Sequence, residues 1–387
     1  MYFRTEDLAV GYHKKALIHD INIAIEKGKI LTLIGPNGSG KSTILKTVIK
    51  QLPKIRGKIY IDGVDLDEMT NHQLAQQVAV VLTDRIRTEL MTCGEVVATG
   101  RYPYTNRLGK LTRRDHEIVQ ESLRRVHGEE LEDQDFSAIS DGQRQRIMLA
   151  RAICQQPQMI ILDEPTAFLD IRHKIELLDI LREMAQEKGI TVIMSLHEID
   201  LATKISDYVC CVKGEVISKC GPPDEIFDDQ TINSLYEVSH GSYNMLMGSV
   251  ELTKPEGSPK VFVVAGDGSG IPCYRALQKK EIPFATGLLY ENDVDYQVAK
   301  ELSDRVVSTP AFAPVEEERL RQGESLIREA SLVIDAGAWE ERGNAYNRQL
   351  LRVAREADIP VIRDYPAWLK DGQHSMRRRP RRRQRRR

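Results

Sequence analysis

The sequence has no Cys-x-x-Cys pair, and none of its six cysteines has a histidine at metal-ligating spacing. That excludes a zinc ribbon and a dithiol redox centre. Cys93, Cys154, Cys210, Cys211, Cys220 and Cys273 read instead as reduced, mostly buried thiols. There is no apolar run approaching the ~20 residues needed to span a bilayer; ITVIMSL at 190–196 is typical of the longest. The opening MYFRTEDLAVGYHKK is polar and charged and lacks the apolar stretch of a secretory leader. These absences predict a cytosolic chain whose membrane role, if it has one, runs through a partner. Net charge is also small, at −2, but nine arginines in the tail MRRRPRRRQRRR (376–387) mask an acidic body. An acidic body argues against a nucleic-acid binder. The tail (371–387) reads as a disordered basic end, with anionic lipid or RNA as the alternative it leaves open.

What is present is ordinary globular protein, 387 residues long and 41% hydrophobic, enough for two domains. Strand and helix patterns alternate through residues 1–250. ELTKPEGSP at 251–259, rich in Pro, Gly and charge, predicts a linker. Beyond it, KVFVVA (260–265), FATGLLY (284–290), RVVS (305–308), SLVIDA (331–336) and IPVIR (359–363) look like strands. Helical stretches such as DYQVAKELSD and NRQLLRVAREA lie between them. That predicts a smaller doubly wound α/β domain over 260–370.

The strongest local signal is KILTLIGPNGSGKST (29–43). An apolar strand runs into G-x-x-x-x-G-K-S and then into a helix. Glycines let backbone N–H groups curl around β- and γ-phosphates, Lys41 adds charge, and Ser42 is placed to ligate Mg²⁺. The following helix points its positive end at the same place. A second apolar strand ends in acids at MIILDEP (159–165). Asp163 emerges where it can hold Mg²⁺, and Glu164 where it can polarise an attacking water.

With ISDGQRQR (139–146, Ser140 and Gly142 within it), AFLD (167–170) and SLHE (195–198) in the same order, residues 1–250 resemble the ATP-binding cassette (ABC) ATPases. The resemblance implies a P-loop NTPase fold with a helical subdomain, ATP as substrate and Mg²⁺ as cofactor. It implies that Gly35, Pro36, Asn37, Gly38, Ser39, Gly40, Lys41, Ser42 and Thr43 hold the phosphates and that Tyr12 stacks on adenine. Ser140, Gly142 and Gln143 would meet the γ-phosphate bound by a second copy, so the chain would work as a homodimer closed on ATP. Asp170 would communicate across that dimer, and His197 would join Glu164 and Lys41 in the chemistry. Two positions depart from the family. Asp141 stands where a glycine is usual, and its carboxylate must turn away from a γ-phosphate. Thr83 stands where a Gln usually reaches Mg²⁺; its hydroxyl remains a hard oxygen ligand, with Asp84 or Glu89 as further sources of charge.

GRYPYTNRLGKLTRRD (100–115) is similar to the helical subdomain of importers for ferric siderophores, haem and cobalamin. That implies a peripheral subunit on the cytoplasmic face of the membrane, working with a separate permease and a substrate-binding protein. The alternative is a cassette ATPase acting on a soluble macromolecular complex. In the second domain, VVAGDGSGIPCYRAL (263–277) places a Gly-rich turn between strand and helix. It lacks the spacing of a dinucleotide fingerprint. It is read either as a cradle for a small anion or as a tight structural turn, and Asp335 at the end of SLVID carries the same ambiguity.

Overall fold

A computed structural model describes residues 1–82, 90–106, 109–337 and 345–370. Thr83, Asp84, Glu89 and the tail 371–387 lie outside the described residues. Contacts divide the chain into two units, Met1–Glu237 and Val238–Arg387.

In the first unit, the strand Ile30–Ile34 is buried at all five positions, and Met159–Leu162 and Thr191–Ser195 are buried throughout as well. Such continuous apolar runs suit a parallel sheet covered on both faces. The six strands run in the order Val216–Gly221, Tyr208–Lys213, Ile30–Ile34, Thr191–Ser195, Met159–Leu162, Val78–Val81. All neighbours are parallel except the first pair. A second, antiparallel sheet is built around Phe3–Tyr12. Leu8, Val10, Ile18 and Ile61 from that sheet join Leu31, Leu33, Ile161 and Val212 from the parallel one in a single core, with Ile44 and Leu45 of the helix Lys41–Val48 between them. The consequence for function is the parallel carboxyl edge. The loops that begin at Gly35, Leu196 and Asp163 leave neighbouring strands, each ~4.8 Å from the next, on one side of the sheet.

A helical segment follows, with helices Cys93–Ala98, Arg113–Arg125 and Asp141–Cys154. Each starts with a reciprocal capping box, Thr92 with Glu95, Thr112 with Asp115 and Ser140 with Gln143, which satisfies two otherwise unpaired N–H groups per helix. The Gly-Arg of GRYPY is a staple inside this segment. A Cβ on Gly100 would lie 2.4 Å from the Arg151 carbonyl oxygen. Arg101 is 5% exposed, donates from Nε to Asp115 at 2.9 Å and from Nη1 to the Cys154 carbonyl at 2.8 Å. Hydrogen bonds from Thr112 first, and the Arg101 guanidinium after them, outweigh burial and bring the Asp115 carboxyl down to about 2. A carboxyl depressed in the fold stabilises it above its unfolded value and loses that contribution as pH falls through the folded one. The segment is therefore expected to weaken between about pH 4 and pH 2. Breaking a buried pair from one side typically costs ~3–5 kcal/mol. Arg101→Ala should show that loss in a denaturant titration, and a loss below ~1 kcal/mol would mean the pair is not a staple.

Cys93, Cys154, Cys211 and Cys273 are buried free thiols. Cys210 and Cys220 depart from the expectation of reduced cysteines. They face each other across the antiparallel ladder with Cα atoms 4.1 Å apart and form a disulfide. Hairpin register brings them together, and a spacing of ten residues does not disclose it.

The second unit carries a parallel sheet in the order Arg305–Thr309, Phe284–Tyr290, Val261–Val264, Leu332–Asp335, Val361–Ile362. Each of the five expected strands is present within a few residues of its expected place. Two cores, one around Tyr274 and Phe284 and one around Phe262 and Leu350, cover the two faces, as a doubly wound sheet requires. The hairpin of Ser242–Asn244 and Ser249–Glu251 packs with this unit. Asn244 donates to the Gln297 carbonyl, and the buried Glu251 pairs with Arg275. The contact boundary therefore falls at 237/238, ahead of the Pro- and Gly-rich stretch. Among the described residues no helix is long and apolar enough to cross a membrane.

Candidate functional site

The phosphate loop is shaped by conformations that only glycine adopts cheaply. Gly38 and Gly40 have φ of 78° and 95°, in the left-handed region. A Cβ on Gly40 would lie 2.6 Å from Ile18 Cδ1. Lys41 opens the helix Lys41–Val48 and is 5% exposed. Its Nζ turns back to donate to the carbonyls of Gly35 at 2.8 Å and Pro36 at 3.0 Å. Burial lowers its pKa, against the pull of Glu164 and Asp163. The loop thus holds an ammonium whose charge is costly until an anion arrives. Ser39 Oγ is buried without a partner among the described residues. Asn37 and Gly38 are exposed at the loop tip, and Ser42 is half-buried beside Lys41. Tyr12 is 49% exposed and its hydroxyl meets Thr43 Oγ1 at 3.2 Å. That bond anchors an otherwise open ring to the start of the phosphate-loop helix.

Asp163, 2% exposed, follows the buried strand Met159–Leu162. Ser195, at the end of the neighbouring strand, donates to Asp163 Oδ1 at 2.7 Å and accepts from the Glu164 amide at 2.9 Å. One hydroxyl therefore sets both acids. Glu164 has φ of 49°, a left-handed conformation worth ~1–2 kcal/mol of strain for a residue with a side chain. Backbone outliers of this kind concentrate at functional sites. Its Oε1 lies 2.6 Å from His197 Nε2, with both side chains about one-third exposed. An ionised Glu164 only accepts, so Nε2 carries the hydrogen in that contact. Ser195 escaped the sequence reading; its signal is its place at the end of the strand Thr191–Ser195, two residues before His197.

The donors offered by Ser42 and Asp163 are hard oxygens, which suits Mg²⁺ shared with substrate phosphates rather than held in an all-protein cage. No group of three or more His, Cys, Asp or Glu able to hold a metal occurs among the described residues. Thr83 lies outside the described residues.

The remaining candidate residues stand elsewhere in the unit. Ser140 caps the helix Asp141–Cys154, and Ser140 and Gln143 bond to each other. Asp141 pairs with Arg144 at 2.5 Å, and Arg144 also donates to the Ile139 carbonyl and lies 5.5 Å from the centre of the Phe136 ring. The carboxylate at the unusual position is thus neutralised by the chain itself. We expect Arg144→Ala to cut ATP turnover roughly tenfold or more by freeing that charge near incoming phosphate, and Asp141→Gly to restore it in the double variant. Equal damage in single and double variants would rule out charge compensation. Asp170 caps the helix Ile171–Lys188 through the His173 amide, and that bond lowers its pKa first among several contacts.

In the second unit the Gly-rich turn is already filled. The amides of Gly270 and Ile271, at the start of the helix Ile271–Lys279, both donate to the fully buried Asp295 at 3.0 Å. Asp267 donates its amide to Asp293 at 2.9 Å. Of the two readings of this turn, an anion cradle or a tight structural turn, these bonds favour the second, since the amides go to the protein's own Asp295. Asp335 is buried and takes Arg363 Nε at 2.7 Å.

Comparison with known proteins agrees with this geometry. The family model described as ABC transporter matches residues 18–167, and the MJ0874 family model matches residues 284–379. The uncharacterized ABC transporter ATP-binding protein MJ0873 of Methanocaldococcus jannaschii is 42% identical over 287 residues, 74% of this chain and 99% of that protein. The iron(3+)-hydroxamate import ATP-binding protein FhuC of Bacillus subtilis is 34% identical over 234 residues, 60% of this chain and 87% of that protein. Among solved structures, a chain of an inward-facing transporter described as of metal-chelate type superposes with a TM-score of 0.54 at 26% identity, covering 60% of this chain and 88% of its own.

Proposed function

Because the chain belongs to the ABC transporter ATPases, we propose that it powers uptake of a metal chelate, such as a ferric siderophore, through a separate membrane permease. The observation that carries the reading is the shared carboxyl edge. Lys41, Asp163, Glu164 and His197 leave three adjacent parallel strands there, with Glu164 and His197 in contact at 2.6 Å. The import reading is supported by the relatives, among them one that serves iron-hydroxamate import.

In this mechanism the ring of Tyr12 stacks on adenine. Residues Gly35 to Thr43 wrap the phosphates with backbone amides, and Lys41 gives up its two carbonyl partners to reach them. Ser42 and Asp163, with Thr83 as a further oxygen, would hold Mg²⁺, which would supply positive charge to the phosphate oxygens when bound. Glu164 orients the attacking water and accepts its proton, while His197 fixes the carboxylate. Ser140, Gly142 and Gln143 of a second copy close on the γ-phosphate, where the helix start offers positive potential. Asp170 lies on the loop that reaches across the same dimer. Loss of the γ-phosphate then removes the contacts that hold two copies together, and the opening is passed to a permease docked on the helical segment.

Gentle affinity purification from native membranes is expected to bring down a polytopic permease, and loss of the protein to abolish ferric-siderophore uptake. Recovery of ribosomal or DNA-associated chains in place of a permease would overturn the transport reading.

A further inference from the structure

Lys174 and Glu198 form an ion pair beside the ATP site that the chemistry above leaves unused. Glu198 follows His197 directly and stands at the N-cap of the helix Ile199–Ile205. A side chain at an N-cap is placed to accept from its own helix's amides. This one turns away from its helix and is spent elsewhere. Its Oε1 accepts from Lys174 Nζ at 2.6 Å, and its Oε2 accepts from Thr166 Oγ1 at 2.8 Å. Burial would push the Glu198 carboxyl up, but the bonds from Lys174 and Thr166 outweigh it and hold the group below its ordinary value. Both side chains of the pair are more than two-thirds buried, so salt screens it less than a surface pair.

The two partners of Glu198 flank one loop. Thr166, 2% exposed, comes two residues after Glu164. Lys174 comes one helical turn after Asp170, whose carbonyl accepts from the Lys174 amide at 2.9 Å. Glu198 thus clamps the stretch 164–170 near both ends against the strand end that carries His197. That stretch needs holding. Glu164 and Phe168 both have left-handed backbones, with φ of 49° and 64°, and the Phe168 side chain is 83% exposed. Inside the stretch, the Ala167 and Leu169 amides bond to the carbonyls of Glu164 and Thr166. Those bonds shape the turn without tying it to its neighbour. Strained backbone persists only where the surroundings over-determine it. Ser195 secures the Glu164 amide, and the clamp secures the residues after it.

The 2.6 Å contact of Glu164 with His197 joins the same two segments as the clamp. A loosened clamp lets that contact lengthen. We propose that the Lys174–Glu198 pair is a positioning element for ATP turnover, which holds the loop from Glu164 to Asp170 on the strand end beside it and so keeps His197 set against Glu164. That role rests on the ones proposed above for Glu164 and His197. Neither Lys174 nor Glu198 meets the nucleotide in this scheme. A displacement of about 1 Å at a reacting group can cost ~10²-fold in rate, so a clamp of this kind has a measurable effect.

The test is a double-variant cycle on the full chain. Lys174→Met removes the charge and keeps most of the stem. Its kcat for ATP hydrolysis is expected to fall roughly tenfold or more, with the KM for ATP and the melting temperature close to wild type. Lys174→Arg keeps a charged donor for Glu198 and should restore most of the rate. Glu198→Gln approaches the same pair from the other side and keeps an oxygen that can accept from Thr166; it should show the same split between kcat and KM. In a His197→Ala background, Lys174→Met should cost no further turnover, because the residue it acts through is gone. Wild-type kcat in Lys174→Met and Glu198→Gln beside an impaired His197→Ala would overturn the proposal alone. So would a loss confined to KM, no rescue by arginine, or losses that multiply in the double variant. Wild-type turnover in His197→Ala would overturn the reading of the site, and the proposal with it.

Discussion

Glu164→Gln is expected to abolish most ATP turnover while leaving ATP binding intact. The substitution keeps the shape of the side chain and keeps an oxygen within reach of His197 Nε2, now 2.6 Å from Oε1. It removes only the ability to take a proton. A positioned general base contributes typically ~10²–10⁴-fold, so turnover should fall by about that factor. Because the fold around Asp163 rests on Ser195 and not on the Glu164 carboxyl, thermal stability should hardly move. ATP bound but not hydrolysed should hold two copies together, and size-exclusion chromatography with ATP should show a dimer that the wild type forms only transiently. His197→Ala supplies the matching comparison. It leaves the base but frees its orientation, so its loss should be smaller than that of Glu164→Gln. A Glu164→Gln protein with more than about a tenth of wild-type turnover would place the base elsewhere.

How much of this was legible in the sequence differs by scale. The strand before the phosphate loop, the strand ending at Asp163 and the five strands of the second unit were visible because each is a short run of apolar residues closed by glycine or acid. Burial on both faces demands that pattern. The Gly-rich turn at 266–270 was visible as a turn, but its occupant was not. Asp295 lies 25 residues from Gly270, and only the packing of the helix Val294–Leu302 against its neighbour places it there. The same holds for Ser195, whose hydroxyl joins two acids more than thirty residues away. The Asp141–Arg144 pair lies within one helical turn and follows from i, i+3 spacing. Its role appears only when the carboxylate is set against the phosphate chemistry of the family. The Cys210–Cys220 bond belongs with the nonlocal cases, since a slip of one residue in that hairpin would turn one cysteine to the other face. Sequence pattern therefore locates the elements and the family. Register and packing decide which polar atoms are spent on the fold and which stay free for a ligand.

Lys41→Ala is the second large effect, and its cause differs from that of Glu164→Gln. Lys41 is buried, held below its ordinary pKa by desolvation, and bonded to two backbone carbonyls of its own loop. Removing it takes away the loop's ammonium and leaves the Gly35 and Pro36 oxygens without that partner. Losing one positioned charge at a phosphoryl transition state costs ~2.7–4 kcal/mol, or about 10²–10³ in rate. In the proposed mechanism the ammonium meets the phosphates before reaction begins, so the ground state should suffer as well. Both the affinity for ATP and the turnover should therefore fall, whereas Glu164→Gln spares affinity. The split between KM and kcat tells the two roles apart. Fluorescence titration with an ATP analogue, run beside steady-state turnover, makes the measurement. Lys41→Ala with wild-type affinity and depressed turnover would assign Lys41 to the transition state alone. Wild-type behaviour in both would mean that the ammonium remains with its carbonyls and never reaches the nucleotide. The charge would then have to come from the loop amides and the helix start, and the cost of burying an ammonium at this position would have no functional return.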